Sequence, residues 1–155
     1  LDEPDPREQP QVKGPDLSIC QRLRRKANLN GADEAVILSE DGFIADGALS
    51  SILWWRGDTL CAPDHTTPWL PSVTRSLLLK IANQAGYETK TERAKPADLA
   101  GCEIWSVSAL QGIRSAVSWG EINVGVATHK KSFTKRLSLF AEPLPMQETR
   151  FPGVS

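Results

Sequence analysis

Short apolar runs, each bounded by turn residues, predict strands along most of the chain. Gly42 and the triplet at residues 56–58 lie between such runs and are typical of tight turns that join antiparallel strands. The neighbouring Trp54 and Trp55 must point to opposite faces of one strand, so that one can belong to the core while the other lines a cleft or an interface, although packing is the more frequent role of paired tryptophans. The predicted strands are residues 34–38, 43–45, 51–55, 59–62, 87–93, 103–107 and 115–119.

Other segments place apolar residues at helical spacing, with polar residues on the opposite side. Asp16 or Ser18 can cap the first of these helices, and its basic run at residues 21–26 is typical of a solvated face. The predicted helices are residues 16–30, 73–85 and 128–141, with a short helical turn at residues 95–99. The expected buried stripes are Leu17, Cys20, Leu23 and Ala27 in the first helix and Leu77, Leu78, Ile81 and Ala85 in the second. Helices and strands that alternate along one chain indicate an α/β fold.

Composition and charge indicate which classes of protein this chain can belong to. At 155 residues, with 40% hydrophobic and 24% charged residues, the chain has the composition of a single globular domain. A net charge of −1 gives no indication of a nucleic-acid or membrane partner, and no apolar run reaches the length of a membrane span. The three separate cysteines are expected to be small buried residues in a reducing compartment, which predicts a cytoplasmic location.

Few residues are available for the commonest catalytic sites. The two histidines offer little for a metal site or a catalytic triad, and the chain contains no GxGxxG or Walker sequence. Chemistry would therefore depend on lysine, carboxylates and backbone amides. Asp46 is a candidate because it precedes Gly47 at the end of a predicted strand, although a simple turn aspartate explains the same pattern.

The segment at residues 31–51, together with Lys13, resembles the class IV pyridoxal-phosphate enzymes. This family comprises the branched-chain aminotransferases, the D-amino-acid aminotransferases and the aminodeoxychorismate lyases. Its motif is a lysine and a helix, then ADEA, an apolar strand, a turn glycine and an acid–glycine pair. Lys13, the GADEA of residues 31–35, Gly42 and Asp46-Gly47 follow in that order, and the resemblance covers residues 12–118.

This resemblance implies the fold and the cofactor. The fold would be a mixed, curved sheet that forms a pseudo-barrel with outer helices, like the C-terminal domain of a D-amino-acid aminotransferase. Lys13 would be the Schiff-base lysine of pyridoxal 5'-phosphate and would also move the proton of the substrate α-carbon. Asp46 would face the pyridine nitrogen, where the family usually has glutamate. A solvent-exposed linker lysine is the alternative for Lys13.

The resemblance also implies where the phosphate and the substrate bind. Residues 70–75 resemble the family's LPG-[IV]-TR segment, which places Val73 and Thr74 at a phosphate-binding helix N-terminus. A plain helix start explains the same residues. Ser108 and Ala109 match a second phosphate-side loop, and the sequence that follows resembles the lyases more than the aminotransferases. Arg114 would meet a substrate carboxylate, unless it is only a surface arginine.

The domain organisation and activity follow from the same resemblance. Residues 1–12, rich in proline and charge, are predicted to be a linker from a missing N-terminal domain, 13–142 the PLP-binding domain and 143–155 a tail. The expected activity is that of 4-amino-4-deoxychorismate lyase, which forms 4-aminobenzoate and pyruvate. Alternatives are a class IV aminotransferase and a catalytically silent fragment that acts as a binding or structural protein. The expected partners are a small amino-acid-like substrate, the missing domain and a second copy in a homodimer.

Overall fold

The computed structural model describes residues 5–141 of the protein. The predicted tail at residues 143–155 and the first four residues of the predicted linker lie outside this range. A 3-10 turn at Pro96–Leu99 occupies the position of the predicted short helical turn. The helices and strands are α1 (Leu17–Leu29), β1 (Val36–Leu38), β2 (Ile44–Gly47), β3 (Ser51–Arg56), β4 (Thr59–Pro63), α2 (Val73–Gln84), β5 (Glu88–Glu92), β6 (Glu103–Ser108), β7 (Gly112–Ser115) and α3 (Lys130–Ala141).

The strands form one five-stranded sheet and one separate hairpin. The order in the large sheet is β5-β4-β3-β6-β7, and β1 pairs with β2 in the hairpin. Only the β4–β5 pair is parallel among these, and the other pairs are antiparallel. The predicted α/β class with a mixed sheet is therefore confirmed. Within residues 5–141 the two sheets do not close into a complete barrel.

The large sheet is covered on both faces, so both tryptophans of β3 are core residues. Trp55 packs with Trp105 and Phe133 under α2 and α3, whereas Trp54 packs with Ile44 and other apolar side chains on the opposite face. Trp54 and Trp55 have exposed fractions of 0% and 2%. Packing, the more frequent role of paired tryptophans, is therefore confirmed for both, and neither lines a cleft or an interface, because the β1–β2 hairpin and the loop segments around residues 94–124 cover the second face.

Helix α1 covers the hairpin through a third apolar cluster. Cys20 and Leu23 of α1 pack against Ile37 and Ala48 in this cluster. Leu17, which the apolar spacing predicts to be buried, is 52% exposed because it lies in the first turn beside an open cavity. The cysteines are free, as predicted, and two of the three are buried. No helix within residues 5–141 is long and apolar enough to cross a membrane.

The last strand begins earlier than its apolar pattern predicts. The structure places β7 at Gly112–Ser115 rather than at residues 115–119, and Ser108 pairs directly with Gly112. Gly112 has a φ of 65°, which lets the chain reverse within three residues after β6. The predicted loop at this point is therefore a tight hairpin, and residues 116–118 leave the sheet.

Candidate functional site

A cavity of about 400 Å³ opens where the end of β2, the end of β6 and the start of α2 meet the segment that precedes α1. This volume lies within the range of ligand-binding pockets. The structure brings six of the seven predicted site residues to the wall of this one cavity. They are Lys13, Asp46, Val73, Thr74, Ser108 and Ala109.

Asp46 is the buried acid of this cavity. It lies on β2 opposite Ile37, and only 3% of its surface is exposed. Its Oδ2 accepts hydrogen bonds from the Leu70 amide at 2.8 Å and from Arg7 Nη1 at 3.1 Å. Burial raises the pKa of the Asp46 carboxyl to about 7, although the Leu70 amide and the charge of Arg7 oppose this change. Asp46 is therefore not a turn aspartate, and it titrates where a neutral-pH acid or base is useful.

Arg7 is a site residue that the sequence does not predict. Its side chain is only 3% exposed and pairs with both Asp46 and Asp5. Its Nη2 also donates to the Pro68 carbonyl at 2.6 Å. The described part of the predicted linker, residues 5–12, is therefore packed onto the domain rather than extended away from it. The sequence offers no local signal for this contact, since Arg7 and Asp46 are 39 residues apart.

Lys13 lies at the rim of the cavity on the turn that leads into α1. Lys13 itself is exposed, so its amine is accessible from the cavity and from solvent. Gly14, the next residue, has a φ of 108°, a conformation that favours glycine. A glycine at this position lets the chain turn sharply between the lysine and the helix.

The start of α2 forms one wall of the cavity. Ser72 caps the helix, and its Oγ accepts from the Arg75 amide at 3.2 Å. The amides of Val73 and Thr74 belong to the first helical turn, which has no preceding carbonyls to bind them, so they can donate to a ligand. Both residues line the cavity.

The loop that precedes α2 is held in place by Arg75 and Trp69. Arg75 donates to the Pro63 carbonyl at 2.7 Å, and its guanidinium lies 3.6 Å from the centroid of the Trp69 ring. Burial lowers the pKa of Arg75 to about 10. Because Leu70 follows Trp69 directly, these contacts fix the amide that donates to Asp46. The apolar spacing of α2 does not predict that Arg75 is buried.

A hydrogen-bonded chain supports the turn after Asp46. The Ser106 hydroxyl donates to Ser50 Oγ at 2.8 Å, and Ser50 donates to Glu34 at 2.8 Å. Gly47 lies against this chain so closely that an added Cβ would overlap Ser50 Oγ. The glycine after the acid is therefore required by close approach, as the sequence predicts.

Ser108 and Ala109 border the cavity from the end of β6. Ser108 Oγ accepts from the Gln111 amide at 3.1 Å, which stabilises the β6–β7 turn. Arg114 does not reach this cavity. It lines a second cavity of about 220 Å³, where Nη1 donates to Gln111 at 3.1 Å and Nη2 lies 3.7 Å from Asp33. The Arg114 side chain is 42% exposed, which agrees with the alternative of a surface arginine, and its contact with a substrate carboxylate stays a prediction.

The walls of the first cavity fit an aromatic cofactor that carries an aldehyde and a phosphate. A buried carboxylate suits a protonated ring nitrogen, free helix amides suit a phosphate, and an accessible lysine amine suits an aldehyde. Cys20 also lines the cavity, and burial raises the pKa of its thiol, so it is a neutral wall residue there. Within residues 5–141 no cluster of His, Cys, Asp and Glu has the arrangement of a metal site.

The chain is similar to known proteins of one family. The family model of class IV amino-transferases matches residues 2–119. The aminodeoxychorismate lyase of Bacillus subtilis (strain 168) is 32% identical over 93 residues, which are 59% of this chain and 32% of that protein. A putative branched-chain-amino-acid aminotransferase of Methanocaldococcus jannaschii is 31% identical over 90 residues, 58% of this chain and 31% of that protein. The chain thus matches about a third of the length of each of these curated relatives.

A solved structure shows the same fold. The branched-chain amino acid aminotransferase from Escherichia coli superposes with a TM-score of 0.77 at 22% identity. The superposition covers 89% of this chain and 48% of that chain. The likeness therefore extends over most of this chain and about half of the solved one.

Proposed function

We propose that this chain, which belongs to the class IV aminotransferase family, is the pyridoxal-phosphate-binding part of a lyase that forms 4-aminobenzoate and pyruvate from aminodeoxychorismate. The family uses pyridoxal 5'-phosphate. The observation that carries the proposal is the convergence of Lys13, Asp46 and the start of α2 on one cavity.

Each residue has a distinct task in this proposal. When bound, the cofactor supplies an electron-accepting ring that stabilises negative charge at the α-carbon of the substrate. Asp46 would accept a hydrogen bond from the ring nitrogen, and the amides of Val73 and Thr74 would bind the phosphate. The Lys13 amine would hold the aldehyde and would also take the proton from the substrate α-carbon.

The lyase is favoured over the aminotransferase by the hairpin that follows Ser108. An aminotransferase must recognise two amino acids in turn, whereas a lyase only needs to take one proton and let the neighbouring ring–oxygen bond break. The chain turns tightly at Gly112 and Leu110 is 91% exposed, so neither residue lines the cavity beside Ala109, and we take this to suit a bulky dicarboxylate. The B. subtilis lyase is also among the curated relatives of this chain.

A further domain would complete the cavity. The apolar residues Val12, Leu17 and Val73 line it and are 50%, 52% and 84% exposed. Exposed apolar residues around a ligand cavity are typical of a surface that another domain covers. We include in the proposal a first domain on this surface and a homodimer, as the family resemblance implies, and a cytoplasmic location, as the three separate cysteines predict.

The experiment that tests the proposal compares two assays on the same preparation, in this chain and in any longer form of the protein. The lyase proposal predicts pyruvate release from aminodeoxychorismate, and much slower transfer of an amino group from leucine or D-alanine to 2-oxoglutarate. Lys13→Arg, which keeps the charge but removes the nucleophile, should abolish both activities, and Lys80→Arg on the exposed face of α2 should change neither. Faster transamination than pyruvate release would contradict the lyase assignment.

One specific observation favours a second candidate, the silent binding protein. Arg7 already donates a hydrogen bond to Asp46 Oδ2, at 3.1 Å, and so competes with the ring nitrogen for this carboxyl group. A preparation that develops no visible absorption band with pyridoxal 5'-phosphate, in the chain or in a longer form, would support that candidate over both enzymes.

A further inference from the structure

Asp16 stands at the N-cap of α1 but does not cap it. Aspartate is a preferred N-cap residue because its carboxylate usually accepts an amide of the first helical turn. Here the Asp16 side chain makes no such bond. It is instead turned toward the segment that precedes Lys13, and only 6% of its surface is exposed.

Both carboxylate oxygens of Asp16 bind this upstream segment. Oδ1 accepts from the Glu8 amide at 3.0 Å, and Oδ2 accepts from the Gln9 amide at 2.8 Å. Hydrogen bonds from backbone amides to a carboxylate are stronger than bonds between neutral groups. Because the buried Asp16 carboxylate binds two upstream amides instead of capping α1, it holds those amides in place.

These two bonds close a loop, residues 8–16, that contains Lys13. Inside the loop the Val12 amide donates to the Gln9 carbonyl at 3.0 Å, and the Leu17 amide donates to the Gly14 carbonyl at 3.0 Å. Lys13 therefore lies between two turns in a closed loop. Its backbone is fixed at the cavity rim, and its side chain remains exposed.

The two upstream amides require two equivalent hydrogen-bond acceptors at position 16. An asparagine has one acceptor oxygen, and its NH₂ group would face one of the two amide donors. One donor would then lose its partner, which is costly in a buried place. The carboxylate of Asp16 satisfies both donors.

We propose that Asp16 is the positioning residue of Lys13: it clamps the Glu8 and Gln9 amides and so fixes the lysine at the cavity. This inference rests on the proposed role of Lys13. It assigns Asp16 no contact with the cofactor or the substrate. The clamp also holds the segment next to Arg7, whose side chain is buried against Asp46.

The test uses Asp16→Asn in the 155-residue chain, with Asp41→Asn in the exposed β1–β2 turn as the matched control. The first measurement is hydrogen exchange of the Glu8 and Gln9 amides under conditions where thermal unfolding shows that every variant is folded. Asp16→Asn should speed the exchange of at least one of these two amides about tenfold or more, since one of the two acceptors is lost, and Asp41→Asn should speed neither.

For the second measurement, pyridoxal 5'-phosphate is added and reduced onto the chain with borohydride. The quantity measured is the share of pyridoxyl label on Lys13, relative to the exposed Lys80. That share should fall in Asp16→Asn, and an effect on stability alone would not change it. Glu8→Pro removes one donor, leaves Asp16 intact and lies outside the core, so it should lower the share even if Asp16→Asn fails to fold.

Two results would overturn the inference. One is unchanged exchange of the Glu8 and Gln9 amides in Asp16→Asn. The other is lost protection with an unchanged share of label on Lys13 in the variants. A parent chain that takes no label on Lys13 would instead count against the proposed function, and the exchange measurement would still decide whether the clamp exists.

Discussion

Asp46 should make the stability of the chain depend on pH in a direction opposite to that of most aspartates. The pKa of its carboxyl rises from 3.8 to about 7 on folding, chiefly because the group is buried. Between these values the folded chain keeps a proton that the unfolded chain has lost. Stability should therefore fall as the pH rises from about 4 to 7, where the full cost of ionising the buried group is reached.

The size of this effect follows from the change in pKa. Each unit corresponds to about 1.4 kcal/mol, so a rise from 3.8 to about 7 amounts to about 4 kcal/mol. Asp46→Asn keeps an acceptor for the Leu70 amide but cannot ionise. The variant loses the charge that faces Arg7, yet Asp5 remains bonded to that guanidinium. The difference in unfolding free energy between parent and variant should thus shift against the parent by up to about 4 kcal/mol over this pH range.

Urea unfolding followed by tryptophan fluorescence measures this difference, because Trp54, Trp55 and Trp105 are buried and report global unfolding. Parent, Asp46→Asn and the exposed control Asp41→Asn should be compared at intervals from about pH 3.5 to 8, a range that includes both pKa values of the carboxyl. Asp41→Asn should follow the parent. If the curves of parent and Asp46→Asn run parallel, the carboxyl does not carry a raised pKa and the reasoning fails.

Two further substitutions test the packing around the site and the core. Gly47→Ala should destabilise the chain by about 1–3 kcal/mol, because its Cβ would overlap Ser50 Oγ. Adding Ser50→Ala should recover part of this loss. If the two effects are additive in a double-mutant cycle, the two residues do not clash. Phe133→Ala should cost about 3–5 kcal/mol, because this fully buried ring packs against the large sheet. Phe140→Ala, at an exposed position of the same helix, should change the free energy of unfolding by less than about 0.5 kcal/mol. Equal losses of unfolding free energy in the two variants, measured by chemical unfolding, would contradict the assigned core.

The local sequence predicts helices, strands and turns well where a single residue type determines the backbone conformation. Periodicity identifies α1 and α2, and the turn at Gly42, which has a φ of 85°, joins β1 to β2 as expected. Asp46 can be selected because it is followed by a glycine that close packing requires. The cavity that joins Lys13 to Asp46 is implied by the family resemblance and by no local pattern.

Contacts between distant segments account for what the sequence does not predict. The proline-rich start of the chain has the composition of a linker, but Arg7 finds its partner Asp46 only in the folded chain. The same holds for Asp16, whose position before α1 predicts a helix cap while its carboxylate binds upstream amides. In each case the decisive partner lies outside the local pattern on which the prediction depends.

The measurement that tests the central claim most directly is the location of the pyridoxyl group after pyridoxal 5'-phosphate is reduced onto the chain with borohydride. The proposed cavity predicts that peptide mapping finds the group on Lys13, and that Lys13→Arg abolishes this labelling while other lysines keep only the low level of unspecific labelling. A pyridoxyl group concentrated on Lys26 or Lys80, with Lys13 unmodified, would contradict the account.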